Sequence, residues 1–443
     1  MKKHRWMKTD TASIMFSALT TKNWGRTFRF AAYLNETVQP ALLRQAVRDV
    51  IGYYPSASTS LHKGFFWTYQ VVSEARPQVR SEAARPLLPI TAAYRGLPDF
   101  RLVYHENRVA LEASHSLGDG KGMMKFFGEI LKRYTYLSAG GTEAYVPFAS
   151  AEETAVNAFD AYYVKGGEKP TENSEKAFHF DETYEQDFIR LLFAEMPEDK
   201  VIALAHAKGM TVTEYLLAVL ILGVIRAADA PILAPITVAD PVNLRRFFET
   251  KSIRNFVIQS YVTFRPAGRA DYTFEDICNA VKGQLKTQLT MENLNKALTK
   301  YGALKRNPVL KIVPYFIKQP VLAMMQKKSH SAVTTILTNF GACDLPPELD
   351  GKLQKLEFVN GDTRNYGLAV TCSCISCNNI LSLCFSYANR DRRWFDACME
   401  VLSAQGLPTE INSLEGVAKP EIPEKEKIKT DCSVERLKAY FNM

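Results

Sequence analysis

The chain has 443 residues, more than one hydrophobic core ordinarily serves, so two domains of about 200 residues each are expected. Apolar residues at 47% and charged residues at 23% exclude the disordered and fibrous classes. The net charge of +8 reads as a scattered basic surplus that suits anionic ligands, and no Lys/Arg run accompanies a zinc or ribonucleoprotein pattern, so no nucleic-acid partner is expected.

In chain order, the basic start Met1–Trp6 is followed by no apolar leader segment, which predicts a cytoplasmic location. A strand is read over Thr27–Leu34 and a helix over Ala41–Tyr53, whose apolar face holds Leu43, Ala46, Val47 and Val50. Gly64–Val72 reads as another strand, and Phe100–Tyr104 with Val109–Glu112 as a hairpin. Beyond Ser114, the residues Met123, Phe126, Phe127, Ile130, Leu131 and Tyr134 recur at helical spacing.

Residues 166–190 are polar and turn-rich and read as a linker. The second half opens with a strand at Phe188–Ala194, a helix at Pro197–Lys208 and a buried helix capped by Thr211 or Thr213. The apolar run of that helix, Tyr215–Ile225, is about half a membrane span and stops at Arg226. Further strands are expected at Ile232–Val238, Gln259–Phe264, Thr334–Thr338, Lys352–Val359, Gly367–Ser376 and Ile380–Tyr387. Pro308–Met325 is apolar but broken by Lys311, Pro314, Lys318 and Pro320, which excludes a transmembrane span and leaves peripheral contact with a membrane surface or a greasy entrance. The tail after Ala418 is rich in Pro, Lys and Glu, with a short helix expected near Val434–Phe441. The division is therefore a first half 1–165, a linker 166–190, a second half 191–418 and a charged tail 419–443, in an α/β protein.

Eight cysteines without a secretory leader point to free thiols in a reducing compartment. Cys372, Cys374, Cys377 and Cys384 could suggest zinc. They lack a second Cys pair and a nearby His, while Cys377-Asn378-Asn379 suits a hairpin turn, so buried thiols in paired strands are expected and no metal site.

The most informative stretch is 114–122, where His115, Asp119 and Gly120 spell HxxxDG between a strand and a helix. An imidazole has an ordinary pKa of about 6.5, so its base form dominates at neutral pH and suits proton abstraction from a hydroxyl. Gly120 lets the chain turn tightly and approach a ligand closely.

With these residues in place, the chain resembles the CoA-dependent acyltransferases of chloramphenicol acetyltransferase-like fold, and most of all bacterial alcohol acetyltransferase-like proteins. Landmarks in matching order are the segment Trp6–Ala12, Phe28-Arg29-Phe30, a helix ending at Tyr54-Pro55, Lys63–Trp67, HxxxDG, Asp240–Arg245, Arg254-Asn255-Phe256 and Thr338–Gly341. Ser114 stands where condensation domains carry a second His, and the plant DFGWG segment is missing, which narrows the resemblance to small-alcohol acylation.

The resemblance implies two such halves, each a mixed sheet flanked by helices, with a channel at their interface. It implies His115 as general base in a ternary complex, and Asp119 turned from the substrate to pair with Arg245, or failing that Arg246, so as to orient the loop with Gly120. Thr338, Asn339 and Asn255 become candidates for oxyanion or substrate hydrogen bonds, and Lys251 and Arg254 for CoA phosphates. The expected donor is acyl-CoA with no bound cofactor, the acceptor an alcohol before an amine, and the chain a monomer. An acyl carrier protein as donor, and a non-catalytic binding module of this fold, are the alternatives. Cys343 raises a covalent acyl-cysteine route, for which the sequence supplies no activating base.

Overall fold

Paired runs of β-branched and aromatic residues build three sheets, and helices of 3.6-residue periodicity cover them in the computed structural model. It describes residues 6–18, 26–73, 77–82, 86–88, 90, 97–165, 175–180, 184–185, 188–361, 363 and 367–417. Part of the expected linker 166–190, and the tail 419–443 with its helix, lie outside the described residues.

The first half runs β1 (Trp6–Lys8), α1 (Thr11–Ala18), β2 (Thr27–Leu34), α2 (Pro40–Ile51), β3 (Thr59–Lys63), β4 (Thr68–Val72), β5 (Gln78–Ser81), β6 (Phe100–His105), β7 (Arg108–Ser114) and α3 (Gly120–Ser138). Two short helices follow, α4 (Ala151–Ala155) and α5 (Ala158–Ala161). The second half continues with β8 (Phe188–Pro197), α6 (Glu198–Ala207), α7 (Val212–Ala227), β9 (Ile236–Asn243), β10 (Val257–Phe264), α8 (Phe274–Val281), α9 (Gln284–Gln288) and α10 (Met291–Arg306). It closes with α11 (Pro308–Ile312), α12 (Tyr315–Ser331), β11 (Thr335–Ala342), β12 (Leu353–Val359), β13 (Val370–Cys377), β14 (Ile380–Tyr387), α13 (Arg393–Ala404) and β15 (Glu410–Val417).

A five-stranded sheet is ordered β12-β2-β7-β6-β5 and a seven-stranded one β10-β9-β11-β13-β14-β8-β15, while β1, β4 and β3 form a small third sheet. Both larger sheets mix parallel and antiparallel neighbours. The apolar faces of α2 and α3 cover the five-stranded sheet through Val47, Val50, Phe126 and Phe127. Helix α7 is apolar all round, as a helix covered on every side must be, and it lies between the larger sheet and α13. At that crossing Gly223 has no room for a Cβ, which would meet Cys398 Sγ at 2.3 Å.

Two findings depart from the sequence expectation. Strand β12, expected within the second half, pairs antiparallel with β2 of the first, Phe358 opposite Phe30. Leu356 and Phe358 thereby reach the first core, which local spacing in the sequence does not encode. Gly64–Val72 is not one strand: it holds a turn at 64–67 closed by Gly64 N–H on the Trp67 carbonyl (2.9 Å), so Phe65 and Phe66 sit at an exposed hairpin tip. Cys372, Cys374 and Cys377 lie on β13 and Cys384 on β14, strands joined by a turn whose Asn378 and Asn379 both have positive φ, as a tight hairpin requires. Seven cysteines are described and all are free. Among the described residues no single helix is long and apolar enough to cross a membrane, and no cluster of three or more His, Cys, Asp or Glu is placed to hold a metal.

Candidate active site

Strand β7 ends at Ser114 and α3 begins at Gly120, so 115–119 form a short loop between two rigid elements. The loop enters through the His115 N–H, which donates to the Arg26 carbonyl at 2.9 Å. The imidazole is half-buried between the rings of Phe16 (centroids 4.5 Å apart, stacked) and Phe28 (4.6 Å). Its Nδ1 is buried and has no hydrogen-bond partner among the described residues. Burial, reinforced by the Arg26 charge, pushes the His115 pKa down to about 4, with Asp119, Asn255 and the Gly118 backbone acting in the other direction.

Asp119 faces away from that ring. It caps α3, with Oδ1 accepting the Gly122 N–H (2.8 Å), and Oδ2 accepts the Phe256 N–H (2.6 Å). Nη1 of Arg245 bridges both carboxylate oxygens at 3.0 and 2.8 Å, with both side chains nearly buried. The contact differs from a fork-to-fork pair. The rest of the guanidinium donates to the backbone carbonyls of Ser252 and Arg254, so Arg245 also staples the 252–256 segment. Arg246 is exposed and takes no part in this contact.

The glycines explain why that segment can lie so close. A Cβ on Gly118 would stand 2.1 Å from the Ile253 carbonyl oxygen, and one on Gly122 2.0 Å from the same atom. The Cβ missing from Gly120 makes room instead for the Phe340 ring, at 2.3 Å. None of the three has a left-handed backbone, so it is close packing, and not turn geometry, that requires glycine here.

The other candidates separate sharply. Asn255 is fully buried, and its Nδ2 donates to the His115 carbonyl (3.0 Å), Asp10 (3.2 Å) and Ser13 Oγ (3.2 Å), so it anchors the loop from behind. Asn339 is engaged at both ends of its amide, by Thr213 Oγ1 at 2.9 Å and the Gly341 N–H at 2.7 Å. Thr338 keeps a buried hydroxyl with no hydrogen-bond partner among the described residues. Its position on β11 shares a face with Ile336 and Phe340, and Phe340 packs into the core of the first half.

Arg254 corrects the sequence reading. Its side chain is about 5% exposed and donates to the Lys8 carbonyl (2.7 Å) beside Asp10, so it is an internal strut with no surface to offer a phosphate. Lys251 is exposed and pairs with Glu153 at 2.9 Å. Cys343 is half-buried, and a hydrogen bond with Cys377 pulls its pKa down to about 7 against the effect of burial.

Sequence reasoning missed Phe16 and Phe28 as neighbours of the imidazole, and Asp10 as the partner of Asn255. Asp10 caps α1 through the Ser13 N–H (2.7 Å), and the Asp-Thr-Ala-Ser run at 10–13 carried that capping signal.

No protein-family model matches the sequence, and no curated protein matches it. Solved structures do match in fold. Polyketide synthase associated protein 5 from Mycobacterium tuberculosis aligns over 89% of this chain and 96% of its own, at 12% identity and TM-score 0.56. Trichothecene 15-O-acetyltransferase from Fusarium sporotrichioides aligns over 90% and 97%, at 12% identity and TM-score 0.55. TRI101 from F. graminearum, solved with coenzyme A and T-2 mycotoxin, aligns over 90% and 97%, at 12% identity and TM-score 0.60. The chain has the chloramphenicol acetyltransferase-like fold. In a protein of this fold, the His115 loop, the 252–256 segment and β11 together join the two halves, with Arg245 and Phe340 crossing from the second half into the first.

Proposed function

We propose that the chain is an acyltransferase that moves an acyl group from acyl-CoA to an alcohol in a ternary complex. The observation that carries this reading is His115: a half-buried imidazole held neutral between two aromatic rings, on a loop fixed from behind by Asn255 and Asp119. With Nδ1 buried, Nε2 is the nitrogen that takes the proton from the attacking hydroxyl. The alkoxide oxygen forms the new ester bond at the thioester carbon, and the C–S bond breaks on collapse of the tetrahedral intermediate. The proton then passes from His115 to the departing thiolate. The Thr338 hydroxyl, unpaired among the described residues, donates to the developing oxyanion. Asp119, Gly120 and Arg245 act by position, and Lys251 with other surface cations faces the CoA phosphates. The coenzyme A bound in the TRI101 structure and the trichothecene 15-O-acetyltransferase among the structural neighbours support the donor and the hydroxyl acceptor.

The test is release of free thiol from a panel of acyl-CoAs and alcohols, with a loaded acyl carrier protein as a second donor arm. His115→Ala should lower turnover by about 10²–10⁴-fold with the fold retained. Unchanged turnover would remove the base. Activity with the carrier alone would transfer the reaction to that donor.

A further inference from the structure

Helix α12 is inside out for a helix that meets water. Tyr315, Lys318, Leu322 and Gln326 face the protein, whereas Phe316, Ile317, Val321, Met324 and Met325 are 49–68% exposed. A solvent-facing helix places its polar side outward. The inward polar groups are engaged: Lys318 Nζ donates to the Leu310 carbonyl (2.6 Å), lying 3.4 Å from the Trp67 ring centroid, and Gln326 accepts from Arg26 (3.1 Å). The inversion is thus specified by contacts on the inner face, and among the described residues nothing covers the apolar outer face.

The patch extends beyond the helix. The β3–β4 hairpin tip abuts it, with the Tyr315 N–H donating to the Phe65 carbonyl (2.6 Å) and the Phe65 and Phe316 rings 6.5 Å apart. Phe65 and Phe66 are 65% and 44% exposed, and Ile312 on α11 is 73% exposed.

Charge identifies the occupant. Residues 293–343 contain eight Lys or Arg and no Asp or Glu, so this one segment accounts for the entire net charge of +8. The surplus is not scattered. Lys311 precedes the apolar face, Lys327 and Lys328 follow it, and all three are exposed. Exposed aromatic, Met and branched aliphatic side chains flanked by lysines are the composition of elements that lie in a membrane interface, where the chains enter the acyl boundary and the ammonium groups meet anionic headgroups. A second copy would bring like charges together across a shared two-fold face.

We propose that α11, α12 and the β3–β4 tip form a docking surface for a lipid bilayer that carries anionic headgroups. The surface stands one helix from the candidate site: Ser17 of α1 contacts the Tyr315 hydroxyl (3.1 Å), and Phe16 of the same helix stacks on His115.

The test uses the full purified chain without acyl-CoA or alcohol, so its result is independent of the proposed reaction. Co-sedimentation is measured with vesicles of phosphatidylcholine alone and of phosphatidylcholine with phosphatidylglycerol. Binding to the mixed vesicles should exceed that to the neutral ones by about tenfold or more and weaken with salt. Phe316→Asp with Met324→Asp should reduce it by about tenfold or more at unchanged Tm. Lys327→Glu with Lys328→Glu tests the charge without touching the apolar face and should weaken binding to the mixed vesicles alone. A chain that stays in the supernatant with mixed vesicles overturns the proposal, as does equal binding by the Asp variants. A lipid-free dimer abolished by the same Asp substitutions would assign the face to a second copy instead.

Discussion

The two walls of the candidate site treat their polar groups differently. On the wall built by the HxxxDG loop and the 252–256 segment, Asp119, Arg245 and the Asn255 Nδ2 are bound into a network, while the buried Asn255 Oδ1 has no partner among the described residues. On the wall built by β11, Thr338 keeps a buried hydroxyl with no partner among the described residues, although its neighbour Asn339 is engaged at both ends. A buried polar group without a partner costs stability, so a fold that keeps one has a use for it or tolerates the loss. The contrast teaches a sorting rule: bound groups are expected to govern stability, and open ones turnover.

The largest effect should come from the bound side. Asp119→Ala removes the acceptor of the Gly122 and Phe256 N–H groups and leaves the buried Arg245 charge without its counter-ion. Breaking a buried pair in this way costs about 3–5 kcal/mol, readable by urea unfolding. A loss under about 1 kcal/mol would show that the backbone carbonyls around Arg245 suffice, and the comparison would break there.

A smaller effect is expected on the open side. Thr338→Val keeps the volume and removes a hydroxyl that bonds nothing within the fold, so Tm should hold or rise. If the hydroxyl meets the oxyanion, kcat should fall by about 10²-fold with KM little changed. A variant that loses stability and keeps its kcat would reverse the assignment.

How far these roles were legible in the sequence depended on how local each signal is. The helical spacing from Met123 to Tyr134 and the strand at Thr27–Leu34 correspond to α3 and β2, because periodicity reports which side of an element is buried. The side to which β12 pairs was not legible, because a strand's pattern does not name its neighbour. Arg254 looked like a surface cation since charge is ordinarily solvated, and only the fold shows Asp10 and the Lys8 carbonyl waiting beneath it. Pro308–Met325 stands out as an apolar segment suited to a membrane surface, but no helix is read at α12 because the periodicity rule takes water as the outer solvent. With Lys318 and Gln326 inside and Phe316 and Met324 outside, that assumption fails.

The smallest effect, and the finest test of the comparison, is in pH. His115 is held down to about 4 by burial and the Arg26 charge, against about 6.5 in the unfolded chain. Its neutral base form therefore persists in the native state well below pH 6, and the acid limb of kcat/KM should lie nearer 4 than 6.5. The same shift sets a stability slope. The unfolded chain takes up this proton first, so the contribution is complete above pH 6.5 and is lost as pH falls from 6.5 toward 4. Burial raises Asp99 to about 6 and Asp240 to about 7, which gives slopes of the opposite sign that end near those values. Wild type alone would show only the sum. The difference in stability between wild type and His115→Gln isolates the imidazole, and the variant should gain relative stability on acidification from pH 7 to 4.5. A pH-independent difference, together with an acid limb near 6.5, would mean that the ring is solvated in the native state. His115 would then not be held neutral by the fold.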